Sequence, residues 1–239
     1  MTKKFLIFFA AAFLTTAMPT FALTITQTKL FGPNTPNMNG SLNFNQFNSS
    51  GGLTLQSIQV SLTLQTSGGQ LRLDNDSESP ASGIFHFGAK GTISSTDVTL
   101  LNTSFQPVPG EVNAIYSQAF NLAANVGDEP NDYDPSPPDG LLYNGGDMNN
   151  SKSDYITSLV WYAGTKGFIG TGTYNINYQV NQWLDYGSIG GIEYAVNPVT
   201  ASGSAEVVYT YVPEPATITL LAVGAFAIRK RKNSKFIRA

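Results

Sequence analysis

Between Leu53 and Leu64 apolar residues fall on every second position: Leu53 and Leu55 on odd numbers, then Ile58, Val60, Leu62 and Leu64 on even ones. A period of two belongs to a strand with one buried face, because successive side chains point to opposite sides of a sheet. The change of phase near Gln56-Ser57 predicts a bulge, or a strand that crosses between sheets. Short runs rich in Thr, Val, Ile, Leu and Tyr recur from Leu23 to Val212, separated by clusters of Gly, Asn, Ser, Asp and Pro. No stretch between them carries a convincing helical period. Such a chain has to bury its apolar faces sheet against sheet.

Strands are expected at residues 24–30, 41–47, 53–64, 84–87, 92–101, 111–120, 155–162, 174–180, 192–196 and 205–212. Phe31-Gly32-Pro33-Asn34 is expected to end the first. Ser67-Gly68-Gly69 reads as a turn that folds 53–64 back onto Leu71–Leu73 as a hairpin. Single buried faces are expected for Val112, Ala114, Tyr116 and Phe120, for Tyr174, Ile176, Tyr178 and Val180, for Ile192, Tyr194 and Val196, and for Ala205, Val207, Tyr209 and Tyr211. About ten short strands without helices predict an all-β fold, a two-sheet β-sandwich of jelly-roll type, with a β-barrel as the alternative.

Residues 125–154 break the pattern. They hold Asp128, Glu129, Asp132, Asp134, Asp139, Asp147 and Asp154 with four prolines, so regular secondary structure is not expected there, and a loop of this length suggests function. Calcium is the fitting use for such acids, since it takes six to eight oxygen ligands. Asp132-Tyr133-Asp134 begins like an EF-hand loop, but Pro137 stands where the sharp turn needs glycine. A weak calcium site at Asp128, Asp132, Asp134 and Asp139 is the resulting expectation, against a simple solvated loop.

Enzyme chemistry finds little support. His86 is the single histidine, in the strand-like setting Ile84-Phe85-His86-Phe87, and no Gly-x-Ser-x-Gly elbow accompanies it. The clustered carboxylates lie in a loop and do not line a groove as glycoside hydrolysis requires. Trp161, Trp183, Tyr133, Tyr143, Tyr162 and Tyr186 could stack on sugar rings, although aromatic residues of a sandwich more often pack within it. Gly167, Gly170 and Gly172 read as bulge or turn glycines, because no helix follows them to cradle a phosphate.

The two ends differ from everything between them. Lys3 and Lys4 precede the ten-residue apolar run 5–14, and Thr20-Phe21-Ala22 offers small residues for a signal peptidase, so residues 1–22 are expected to be a signal peptide cut after Ala22. At the far end Val212-Pro213-Glu214-Pro215 is followed by the apolar run 216–228 and then by Arg229-Lys230-Arg231-Lys232. Thirteen helical residues reach roughly 20 Å at about 1.5 Å each, against a hydrocarbon core of about 30 Å. That is short for a permanent span and sufficient for a temporary one with a basic stop-transfer flank.

The part between, 23–212, carries 15 acidic residues against Lys29, Arg72, Lys90, Lys152 and Lys166, a net charge of −10. It should repel nucleic acid and favour solubility. About 190 residues suffice for one core, and without a cysteine in the chain there is neither a disulfide frame nor a thiolate site.

The C-terminal segment resembles the PEP-CTERM sorting signal, on Pro213-Glu214-Pro215, the apolar run and the Arg/Lys cluster taken in order. The resemblance implies export, a temporary inner-membrane anchor and processing by an exosortase near the Pro-Glu-Pro motif, followed by residence at the cell surface or in an extracellular matrix. The central part also resembles the choice-of-anchor E domain. That likeness rests on Ser41-Leu42-Asn43-Phe44-Asn45-Gln46-Phe47, Leu53-Thr54-Leu55-Gln56-Ser57-Ile58, Phe168-Ile169-Gly170-Thr171-Gly172-Thr173 and Ala205-Glu206-Val207-Val208-Tyr209-Thr210-Tyr211. It implies a sandwich and brings no catalytic residues.

The expected organisation is therefore signal peptide (1–22), β-domain (23–212) and sorting segment (213–239). The expected function is that of a non-enzymatic, structural or adhesive surface protein associated with exopolysaccharide, without a required cofactor. A lectin or a glycan-active enzyme on the same scaffold is the alternative. Signal peptidase, exosortase and extracellular polysaccharide are the expected partners.

Overall fold

The computed structural model of the chain describes residues 21–126, 133–161, 167–187 and 189–213. The apolar run at 5–14, Asp128, Asp132, Tyr162, Glu214, Pro215, the segment 216–228 and Arg229-Lys230-Arg231-Lys232 lie outside the described residues. Ile25–Asn48 and Ser57–Tyr209 form one compact unit. A second, much smaller unit comprises Met1–Thr24, Ser49–Gln56 and Thr210–Ala239, of which 21–24, 49–56 and 210–213 are described.

The described residues form eleven strands: β1 (Leu23–Asn34), β2 (Met38–Asn45), β3 (Leu53–Ser67), β4 (Gln70–Asn75), β5 (Ala81–Ser94), β6 (Val112–Leu122), β7 (Gly140–Asn144), β8 (Met148–Tyr155), β9 (Thr173–Asp185), β10 (Ile192–Asn197) and β11 (Thr200–Pro213). Beside them stands a 3-10 turn at Ser158–Val160, and no described helix is long and apolar enough to cross a membrane. The strands order as β1-β11-β3-β8, β2-β9-β5-β6 and β10-β4-β7. The pairs β2–β9, β9–β5, β5–β6, β3–β8, β10–β4 and β4–β7 are antiparallel. The result is an all-β protein of antiparallel sheets, as the alternation requires, arranged consistently with a sandwich.

The core lies where the alternate apolar residues of facing sheets meet. Ile58, Val60, Leu62 and Leu64 of β3 are buried, as are Phe85, Phe87 and Ala89 of β5, Tyr174, Ile176 and Val180 of β9, and Ala205, Val207 and Tyr209 of β11. The Tyr174 and Tyr209 hydroxyls meet across the core at 2.7 Å, and the Tyr209 hydroxyl donates to the Asn45 carbonyl at 3.1 Å. Both phenols therefore bury a polar tip without leaving it unpaired. The third sheet joins through Phe85, whose ring meets Tyr143 of β7 edge-on with centroids 5.0 Å apart.

The phase slip in 53–64 is real. Burial in β3 runs on odd positions through Ser57 and on even positions from Ile58, and Gln56-Ser57 is also where the strand passes from the small unit to the large one. Several other expectations are corrected. Residues 53–64 and 71–73 form no hairpin, since β3 pairs with β8, whereas β4 lies between β10 and β7. The Gly68-Gly69 turn moves the chain to another sheet. β1 continues through Gly32-Pro33 to Asn34, and 84–87 and 92–94 are parts of the single strand β5. That strand stops at Ser94, while Val98 and Leu100 are buried from an irregular segment beyond it. The span 155–162 gives way after Tyr155 to the 3-10 turn, and Tyr194 of β10 is 51% exposed where a buried face was expected.

The largest correction concerns 125–154, which contains β7 and β8. Strand β8 reads Met-Asn-Asn-Ser-Lys-Ser-Asp-Tyr, has no buried residue, and is held by backbone pairing with β3 from Gln59↔Tyr155 to Thr66↔Met148. An edge strand exposed on both faces carries no apolar period, so periodicity cannot find it, and its polar residues with Lys152 discourage a further strand from adding.

Candidate functional site

Of the expected calcium ligands, Asp134 and Asp139 are described. Asp139 is buried, and its Oδ2 accepts the Val126 amide. The Asp134 Oδ1 accepts the Ser136 amide at 3.0 Å, while the Asp134 amide donates to Asp74 Oδ2 at 2.7 Å. These carboxylates tie loop backbone together, and among the described residues no three His, Cys, Asp or Glu side chains converge on a common metal position. Burial holds the nearby Tyr133 phenol above its ordinary value, with the Arg72 charge opposing.

The glycines 167, 170 and 172 serve a close approach of backbone to side chain. Gln46 is buried, its Nε2 donates to the Gly167 carbonyl at 2.9 Å, and its Oε1 accepts the Gly172 amide at 2.9 Å. A methyl group at Gly170 would stand 2.3 Å from that same oxygen. Backbone bonds from the Gln46 amide to the Gly172 carbonyl, from the Phe47 amide to the Phe168 carbonyl and from the Gly170 amide to the Phe47 carbonyl join the same segments, so the carboxamide reinforces a backbone clasp of 46–47 on 167–172.

The expected aromatic platforms are placed differently from one another. The indole of Trp161 donates to the Ile156 carbonyl at 3.2 Å, Tyr143 packs against Phe85, and Tyr186 lies against the exposed Tyr194 with centroids 5.2 Å apart. Trp183 is half-buried on β9, with Lys90 Nζ 3.2 Å from its ring centroid and held on the other side by Glu111 at 3.5 Å. A cation over the indole face occupies the surface a sugar ring would use.

Two arrangements were not anticipated. His86 stands in register with Ser117 of β6 on one side and Asp185 of β9 on the other, and its Nδ1 lies 2.7 Å from the Ser117 hydroxyl. The Asp185 Oδ1 is engaged with the Gly187 amide of its own turn at 2.9 Å. The cross-strand register creates this row, so local spacing in the sequence could not announce it. A polar groove of about 390 Å³ lies elsewhere, bordered by residues 65–67 of β3, residues 147–149 and Ser202, with Asp147 its one charged wall.

An extended polar feature of the described residues is the exposed face of β2-β9-β5-β6. Rows cross it in register: Ser41–Asn177–Ser94, then Asn39–Gln179–Thr92, then Asn181–Lys90–Asn113. Its strand positions carry one acid, Asp185, and one base, Lys90. Its sequence signal was available in the alternation Asn175, Asn177, Gln179, Asn181, which interleaves with the buried set of β9.

At the C-terminal end β11 carries Val212 and Pro213 and leads straight into the remainder of the sorting motif. Residues 212–232 match the PEP-CTERM protein-sorting motif. No curated protein matches the chain. Among solved structures, that of the infectious bursal disease virus Gx strain is similar at 10% identity and a TM-score of 0.19, covering 80% of this chain and 38% of that one. The VP2 subviral particle of the same virus is similar at 12% identity and a TM-score of 0.14, covering 93% of this chain and 50% of that one. A 60-mer BFDV capsid protein is similar at 7% identity and a TM-score of 0.14, with 83% and 96% covered. The chain thus spans half or less of the two bursal disease virus chains, and likenesses of this TM-score carry no argument about function. The sorting motif does carry one: it marks an exported protein, processed at the membrane by an exosortase and sorted to the cell surface.

Proposed function

We propose that, once sorted, this protein serves as a non-enzymatic structural or adhesive component of the cell surface or extracellular matrix, in association with exopolysaccharide. On this reading the sheets form a jelly-roll sandwich of the choice-of-anchor E kind, delivered by a signal peptide that is removed after Ala22. Glu214 between its two prolines is the recognition point for the exosortase, because the prolines keep the chain extended in front of the membrane segment. Segment 216–228 holds the precursor in the membrane, and Arg229-Lys230-Arg231-Lys232 stops its transfer.

The observation that carries the non-enzymatic reading is the use made of the carboxylates. Asp74, Asp97, Asp134, Asp139, Asp154 and Asp185 each accept a backbone amide, so they are spent on holding chain segments. Asp147 does border a groove, but it is the one carboxylate there, and glycoside cleavage needs a pair flanking the scissile bond.

Cell fractionation tests the reading. Wild-type protein is expected in the surface and matrix fraction with the exopolysaccharide, and the purified protein is expected to release no reducing sugar from it. Time-dependent release of reducing ends would overturn the non-enzymatic assignment. Glu214→Ala is expected to accumulate full-length precursor in the inner membrane. Normal processing of that variant, read from the mass of the mature C-terminus, would remove the role given to Glu214.

A further inference from the structure

We infer that the exposed face of β2-β9-β5-β6 binds a neutral polysaccharide chain laid across its strands, gripped by the rows Ser41–Asn177–Ser94 and Asn39–Gln179–Thr92. The inference rests on the matrix reading above and gives it a surface and a ligand class.

Charge is the first argument. Residues 23–212 carry a net −10, yet this face offers one acid and one base on its strands, both outside the two rows. An uncharged patch on a strongly acidic body favours a neutral partner over a polyanion, which the rest of the surface repels.

Chemistry selects the partner further. Carboxamides and hydroxyls both donate and accept, as sugar hydroxyls do, so every side chain of the two rows can meet a hydroxyl in either role. Neighbouring strands lie about 4.8 Å apart and alternate residues of one strand about 7 Å apart. A row therefore presents polar groups at intervals close to the repeat of an extended sugar chain, one strand per sugar.

The third argument is the contrast between the centre of the face and its rims. At one end Asn43 donates to Asn175 at 3.2 Å, and the Asn175 amide in turn donates to Asp97 at 2.9 Å. At the other, Lys90 is fixed between Trp183 and Glu111, and His86 is paired with Ser117. Between them the side chains of Asn39, Ser41, Thr92, Ser94 and Asn177 have no hydrogen-bond partner among the described residues. Gln179 gives one donor to Asn181 at 3.3 Å and keeps its oxygen free. Their backbones are locked by pairing on the sheet, so the spacing of the rows is set before a ligand arrives and only side-chain rotamers have to order on binding.

Affinity electrophoresis tests this with the full-length chain in mild detergent, in native gels cast with dextran, hydroxyethylcellulose, galactomannan or alginate. The expected result is retardation by at least one of the three neutral polymers and none by alginate. Asn39→Asp with Asn177→Asp, nearly isosteric and charged, should weaken that retardation about tenfold, as should Asn177→Ala with Thr92→Ala, while Gln65→Glu in the groove of the other sheet leaves it unchanged. Near-ultraviolet circular dichroism equal to wild type confirms that the variants fold. Absence of retardation by every neutral polymer, retardation by alginate alone, or unchanged binding in both folded face variants would each overturn the inference. Fractionation of cells expressing the Asp variant separates the two readings. Protein that reaches the matrix without binding glycan through this face leaves the proposed function standing, whereas wild-type protein missing from the surface sinks that function whatever the gels show.

Discussion

The two faces of the β2-β9-β5-β6 sheet are made by the same strands and do opposite things. Facing inward, Leu42, Phe44, Phe85, Phe87, Ala89, Tyr174, Ile176 and Val180 are buried against the other sheet. Facing outward, one residue away each time, stand Asn39, Ser41, Asn43, Asn175, Asn177, Gln179, Asn181, Thr92 and Ser94. Stability is concentrated on the first set and solvent contact on the second. Because the period of a strand is two, each set can change without disturbing the other.

Four cases would break or sharpen this contrast. The largest effect is expected inside: Phe87→Ala removes a fully buried ring and should cost about 3–5 kcal/mol, read from chemical denaturation. A loss below about 1 kcal/mol would mean that the inner face is not the stabilising one. Next comes Gly88→Ala, on the outer side of the same strand. Gly88 is buried despite its outer parity, and its φ of +156° with the 2.2 Å separation of an added Cβ from the Ala114 carbonyl oxygen predicts a cost of about 2 kcal/mol, an exception to outer-face tolerance set by the close backbone of β6.

The tyrosine pair gives an asymmetric third case. Tyr174→Phe leaves the Tyr209 hydroxyl still bonded to Asn45, whereas Tyr209→Phe strands the Tyr174 hydroxyl in the core. Losses of about 1 and about 2 kcal/mol respectively are expected, and equal losses would contradict the direction of donation assigned here. The pair also sets an alkaline limit. Burial pushes both phenols well above the ordinary value of 10.0, and the contact between the two hydroxyls raises Tyr174 further. Above pH 10 the unfolded chain releases these protons while the folded one keeps them, so stability is full below that pH and falls as pH rises beyond it. In the double variant Tyr174→Phe with Tyr209→Phe, the fall between pH 10 and 12 should be shallower.

The smallest effect belongs to the outer face proper. Asn177→Ala should change stability by no more than about 0.5 kcal/mol in the same denaturation experiment. A larger loss would show that the amide rows hold the sheet together and are not free for a ligand.

What was legible in the sequence depended on whether a side chain records its own burial. The inner faces of β3, β6, β9 and β11 were readable because each apolar residue at a period of two reports the same core. The slip at Gln56-Ser57 was readable for the same reason, and the structure places the boundary between two compact units there. The sorting motif was legible because membrane processing reads a linear order of polar break, apolar run and basic flank, which needs no fold around it.

Tertiary structure alone decided which strands meet. Nothing in Gly68-Gly69 states that the chain leaves one sheet for another, since a glycine turn serves a hairpin and a sheet change equally well. Strand β8 exists because the open edge of β3 supplies backbone partners to residues with no apolar side to bury. The meeting of His86 with Ser117, the row Ser41–Asn177–Ser94 and the clasp of Gln46 on Gly167 and Gly172 join residues far apart in the chain. Alternation specifies which face of a strand is buried. Register between strands arises from long-range backbone pairing and core packing together, and that is why the exposed rows could be counted in the sequence but not assembled from it.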